Sequence, residues 1–240
     1  VKEKTMKRVL PYLSIILILA ILSAGCGAAS EEELTPDVLL TNGVTHMASL
    51  PGFEFQITMD GAVVFLDENQ SVQFNEATGH YVSPDQALTT VTITALGMLT
   101  EITVISLQDI QWASNPLTNT YQELPDEYLF KPTQYLDPEA GFFPSLGDGL
   151  TDLVLIGEEE LEHLPGLTLT HLSGTLPGEV IVEVSKGLIS VDSMAGDLWI
   201  DPASNEVHRV VLTDTSGGDA ASVWTFDFWN FGATIEITAP

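Results

Sequence analysis

Basic residues are nearly missing from this chain: seven lysines and arginines stand against 34 aspartates and glutamates in 240 residues. Four of the seven, Lys2, Lys4, Lys7 and Arg8, lie in the first eight positions, where Glu3 is the one acid. From residue 26 onward three basic residues face 33 acidic ones, a net charge of −30. A field of that sign repels phosphate backbones and anionic surfaces, which excludes nucleic acid as a partner. Cysteine occurs once, at Cys26, so no internal disulfide can form. Long apolar runs are also missing. The run from Tyr12 to Leu22 is 11 residues, against the roughly 20 that a membrane-crossing helix needs.

Catalytic and ligand-holding signatures are equally scarce. No Gly-x-Ser-x-Gly elbow, His-Glu-x-x-His pair or glycine-rich phosphate loop occurs, which removes the usual hydrolase, metalloprotease and nucleotide-binding readings. The five histidines, His46, His80, His163, His171 and His208, lack ligand spacing. Asp67-Glu68-Asn69 and the stretch from Asp214 to Asp219 lack the spacing and closing glutamate of an EF-hand loop. Glu160-Leu161-Glu162-His163 sets carboxylates beside an imidazole, but on so acidic a chain it reads as a solvated loop. Trp199 and Trp229 read as core or rim aromatics. The expectation is a protein that is not an enzyme, with no cofactor and no metal.

What is present begins with a leader. A basic head, the apolar run and the small residues Ala24 and Gly25 before Cys26 follow the plan of a secretory signal peptide. The small residues ahead of a cysteine resemble the bacterial lipobox, although Ser23 holds the position that the pattern usually gives to leucine. The resemblance implies cleavage after residue 25 and diacylglyceryl modification of Cys26, the lipid anchor. Several acyl chains hold a protein on a membrane where one alone holds it marginally. The mature protein is therefore expected on the extracytoplasmic face of the cell membrane. Residues 26–33 are small and acidic and read as a tether, and residues 34–240 as one domain.

Within that domain the period of the sequence changes. Thr35-Pro36-Asp37 supplies an N-cap, a proline at the first helical position and an acid in the first turn, which predicts a helix running to Pro51-Gly52. From Phe53 alternation takes over. Phe53, Phe55, Ile57 and Met59 predict one strand, and Asp60-Gly61 a hairpin turn into another over residues 62–66. Further strands are expected around Val72 and Phe74, Val91 to Ala95, Ile102 and Val104, and Trp112 to Tyr121. The apolar residues from Asp137 to Leu155 suggest a helix loosened by Gly141, Gly147 and Gly149, a mobile lid or an ordinary cover. Alternation returns at Leu167 to Thr175, at Val180, Val182 and Val184, on both sides of the Asp201 to Asn205 turn, at Trp224 to Phe228, and at Thr234 to Thr238.

The ordered set of Leu34-Thr35-Pro36, the strand Phe53 to Met59, the glycine-containing segment from Asp137 to Gly174, Leu198-Trp199-Ile200-Asp201, Val207 to Leu212, Thr225-Phe226-Asp227-Phe228 and Ile235 to Pro240 resembles the LppX/LprA/LprF/LprG lipoprotein family over nearly the whole mature chain. That resemblance implies the α+β class: a single strongly curved antiparallel sheet, a half-barrel, with helices across its concave face. It also implies an apolar cavity for acylated lipids or lipoglycans carried in the cell envelope, and an envelope transporter as a partner. The alternative is an envelope lipoprotein with a filled core that acts as a protein-interaction module.

Strand phase then gives the expected cavity wall. Phe53, Phe55 and Ile57 share one face, followed by Val72 and Phe74, Val91 and Ile93, Ile102 and Val104, Leu198 and Ile200, and finally Trp224, Phe226 and Phe228. On the helix side Val38, Met47, Phe142 and Phe143 are the expected gate.

Overall fold

The computed structural model describes residues 35–67, 69–125, 131–216 and 221–240. The leader, Cys26 and the tether lie outside them.

Helix α1 spans Pro36–Ser49. The Thr35 hydroxyl accepts the Val38 N–H at 3.4 Å, and Asp37 sits in the first turn, where unpaired N–H groups favour negative charge. Leu39, Leu40, Gly43, Val44 and Met47 form its buried side. After it come β1 (Gly52–Asp60), β2 (Val72–Val82), β3 (Gln86–Ala95), β4 (Met98–Leu107), β5 (Ile110–Ser114) and β6 (Tyr121–Glu123). Two short helices follow, α2 (Pro132–Tyr135) and α3 (Phe142–Gly149), then β7 (Thr151–Glu160) and β8 (Thr168–Pro177). Helix α4 (Gly178–Val184) precedes β9 (Ser193–Ile200), β10 (Val207–Asp214) and β11 (Val223–Trp229).

All eleven strands form one antiparallel sheet in the order β6-β5-β4-β3-β2-β1-β11-β10-β9-β8-β7. The sheet is open and curved. Its register shifts between Phe74 and Glu76, between Thr151 and Val154, between Leu155 and Gly157, and between Val207 and Arg209, and such bulges bend and twist the strands that carry them. Strands β6 and β7 are consecutive in sequence yet form opposite edges. Their connection therefore crosses the sheet, and it carries α2 against β3 and β4 and α3 against α1, α4 and β8.

The core lies between sheet and helices. Phe53, Tyr81, Phe142, Phe143, Phe226 and Phe228 form an aromatic cluster with ring centroids 4.5–6.4 Å apart. Offset and edge-on rings at these separations attract beyond their buried area. The glycines expected to loosen α3 instead let it approach its neighbours. A Cβ at Gly147 would stand 2.9 Å from Val44 of α1, and one at Gly149 would stand 2.8 Å from Val180 of α4.

Several expected elements are corrected. Residues 62–66 are not a strand: they belong to the β1–β2 connection, joined to β2 by a single bridge from Phe65 to Gln73. The Asp67 carboxylate accepts the N–H groups of Ser71 and Val72 and closes that loop. The expected strand from Trp112 to Tyr121 is two strands, because Asn115 turns the chain by accepting the N–H groups of Leu117 and Thr118. Val180 to Val184 is helical although its β-branched residues favour strand. Thr234 to Thr238 is not a strand: the chain leaves β11 in the middle of the sheet, where β1 and β10 already occupy both flanks.

Candidate functional site

The centre of the concave face supplies the floor of an apolar cavity. Antiparallel register sets Phe55 opposite Phe228 and Ile57 opposite Phe226 across β1 and β11, and Trp224 opposite Leu212 across β11 and β10. Since alternate residues share a face, these side chains stand together on the inner side. Phe74 of β2 stacks on Trp224 with centroids 5.6 Å apart. Val64 and Leu66 enter from the β1–β2 loop, and Leu176 from β8.

Helices make the remaining walls. Pro132, Tyr135 and Leu136 come from α2 and its end, Phe142 and Leu146 from α3, and Ile181 and Val184 from α4. Leu188 and Ile189 follow in the loop after α4. There Ser185 is held locally, its hydroxyl accepting the Ile189 N–H at 3.1 Å. The cavity between these side chains has a volume of about 100 Å³.

Among the described residues no charged side chain lines the cavity. Its polar side chains are Tyr135, Ser185 and Trp224. Burial pushes the Tyr135 phenol above its ordinary range and so keeps it neutral. The Trp224 indole N–H is buried without a hydrogen-bond partner among the described residues. The wall formed by the described residues is apolar apart from these three groups.

The expected residues divide into two groups. Phe55, Ile57, Phe74, Trp224, Phe226, Phe228 and Phe142 line the cavity. Phe53, Val91, Ile93, Val104, Leu198 and Ile200 are buried in packed core instead, and Val72 and Ile102 are half-buried against it. Ile200 is covered by α1, whose Gly43 would set a Cβ 3.2 Å from it. Met47 and Phe143 are packed at 1 % and 3 % exposure, while Val38 is 37 % exposed on the outer side of α1. None of these three lines the cavity; of the four residues expected at the gate, Phe142 does. What strand phase could not find is the helix-side wall: Tyr135, Leu136, Ile181, Val184, Leu188 and Ile189. The spacing of Phe142, Phe143, Leu146 and Leu150 did carry a helical signal. The β-branched run of α4 concealed one.

Together these elements make an open antiparallel half-barrel with helices over an apolar cavity. The LppX_LprAFG lipoprotein family model matches residues 35–237, and the chain belongs to that family, a family of envelope lipoproteins. LprF from Mycobacterium bovis superposes with a TM-score of 0.65 at 15 % identity, over 85 % of this chain and 96 % of that one. The lipoprotein LppX from Mycobacterium tuberculosis gives a TM-score of 0.60 at 14 % identity, over 85 % of this chain and 98 % of that one. At these identities the likeness is one of fold. No curated protein matches by sequence. Among the described residues no helix is long and apolar enough to cross a membrane.

Proposed function

We propose that this protein binds the acyl chains of lipids or lipoglycans in the cavity between the centre of the sheet and α2 to α4, and carries or chaperones them in the cell envelope. In this proposal the lipidated Cys26 holds it on the extracytoplasmic face. The observation that carries the reading is the wall of aromatic and aliphatic side chains around that cavity, uncharged among the described residues. Burying a methylene contributes about 0.8 kcal/mol, so a 16-carbon chain supplies on the order of 10 kcal/mol before ordering costs. That is enough for retention, and release follows when another apolar surface competes for the chain. Family membership supports the reading.

Phe226→Arg sets a charge in the wall at a half-buried position. Its uptake of a fluorescent fatty-acyl probe should fall at least tenfold (about 1.4 kcal/mol) with an unchanged far-UV spectrum, whereas Phe226→Leu should retain uptake. Native mass spectrometry of protein extracted from membranes should find bound lipid. An empty protein that also takes up no probe would overturn the carrier reading and favour the interaction module. One feature supports that second reading: edge strand β7 exposes Val154, Leu155 and Ile156 at 54 %, 47 % and 56 %, as a strand awaiting a partner would.

A further inference from the structure

Away from the cavity, the β9–β10 connection gathers three metal-ligating side chains. Asp201 follows the last residue of β9, Glu206 precedes β10, and His208 is the second residue of β10. One donor atom from each lies within 4.8 Å of the other two. A group of acids in a turn is common and by itself signifies little. His208 is what distinguishes this one.

The register between β9 and β10 shifts between Val207 and Arg209: Val207 pairs with Ile200 and Arg209 with Trp199, which leaves His208 opposite no residue. A bulge of this kind re-aims the extra side chain. The His208 ring packs edge-on against Phe231 with centroids 5.0 Å apart. The residue is 7 % exposed, yet neither ring nitrogen has a hydrogen-bond partner among the described residues. Its Nε2 points toward Glu206, 3.8 Å from Oε2. A neutral imidazole always carries one N–H and one lone pair, and leaving both buried and unmatched is costly.

The carboxylates show a matching deficit. The Ser204 hydroxyl lies 3.1 Å from Asp201 Oδ2 and 3.0 Å from Glu206 Oε2. A hydroxyl has a single proton to donate, so it can serve one of these oxygens and not both. Asp201 Oδ1 accepts the Ala203 N–H at 2.8 Å, and the turn is closed by the Asp201 N–H donating to the Glu206 carbonyl at 2.9 Å. Two carboxylates thus converge on one proton beside an imidazole with an unused lone pair, and a cation is what completes the set.

We propose that Asp201, Glu206 and His208 bind a divalent transition-metal ion of the zinc class. Imidazole nitrogen with two carboxylates suits Zn²⁺ in tetrahedral coordination with water at the fourth position, whereas Ca²⁺ takes oxygen donors alone. Ligands about 2.0–2.2 Å from one ion sit roughly 3.4 Å apart, so donor atoms now within 4.8 Å of one another need to draw in by at most about 1.4 Å. The ion would staple the hairpin beneath α1, since Ile200 and Val207 are the residues that Gly43 of α1 packs against.

The test is equilibrium dialysis of the full chain against Zn²⁺ in excess Ca²⁺, which occupies the scattered surface carboxylates, with metal counted by mass spectrometry. One Zn²⁺ per chain is expected, at least tenfold weaker in Asp201→Asn, Glu206→Gln and His208→Gln, with Zn²⁺ raising the Tm of the wild type and not of the variants. Asp201 lies outside the strands, so its variant keeps the test valid if His208→Gln misfolds. Co²⁺ in place of Zn²⁺ should give a visible absorption band that His208→Gln shifts or abolishes. Absence of stoichiometric Zn²⁺ in the wild type, binding unaltered in all three variants, or displacement by the excess Ca²⁺ would overturn the assignment. Acyl-probe uptake is a separate readout and bears on neither outcome.

Discussion

Tyr81 belongs to the aromatic cluster, and its hydroxyl donates to the Pro84 carbonyl at 2.7 Å. Burial disfavours its phenolate and pushes the phenol from an ordinary 10 to about 12. The folded chain therefore keeps a proton that the unfolded chain loses first. The sign follows: this contribution to stability is whole below pH 10 and is lost as the pH rises toward about 12. In Tyr81→Phe a late component of the tyrosine absorbance titration should disappear, and the alkaline loss of stability should become shallower. At neutral pH the variant should be less stable by about 1 kcal/mol, the worth of one hydrogen bond, as read by urea denaturation. Single residues were readable in the sequence wherever their neighbours decide their role. Trp224, Phe226 and Phe228 announced a shared face through alternation, and the structure sets all three in the cavity wall. His208 could not be read this way, because its surroundings depend on a bulge that no local pattern encodes.

At the level of elements, local signals and tertiary ones part company. Helix α1 was legible because Thr35, Pro36 and Asp37 act on the adjacent turn. Helix α4 was not: Val180, Ile181, Val182 and Val184 favour strand, but β8 and β9, on either side of the segment in sequence, already pair with each other, while α3 offers a contact. Packing against α3 overrides propensity there. The same contact layer tests the role of Gly147. In Gly147→Val the new side chain enters space where even a Cβ stands 2.9 Å from Val44. Overpacking of this kind costs about 1–3 kcal/mol, which should lower the Tm by roughly 2–12 °C. A Tm equal to that of the wild type in differential scanning calorimetry would show that α1 and α3 can part without cost. The cavity wall was half legible for the same reason. Strand phase reaches Phe55, Ile57, Phe74, Trp224, Phe226 and Phe228 but also picks Val91, Val104 and Ile200, which are packed core, whereas the helix side depends on where α2, α3 and α4 settle on the sheet, which no strand pattern encodes.

For the whole molecule, charge and anchoring act together. With three basic residues against 33 acidic ones after residue 25, long-range attraction to an anionic membrane is absent, and the proposed anchor is the acylated Cys26. Cys26→Ser should move the protein from the membrane to the soluble extracytoplasmic fraction and abolish incorporation of radiolabelled palmitate, with acyl-probe uptake by the domain unchanged. Retention of the serine variant on membranes would assign the anchoring elsewhere. The strand order has its own effect in time. Strand β1 pairs with β11, joining Glu54 to Trp229 at the centre of the sheet. A ribosome delivers those partners at opposite ends of synthesis, and contacts so distant in sequence form slowly. Each half can zip its own meander early, but the seam between them stays unmade until nearly the entire polypeptide has emerged. A nascent chain of this design completes its sheet only when its last strand arrives.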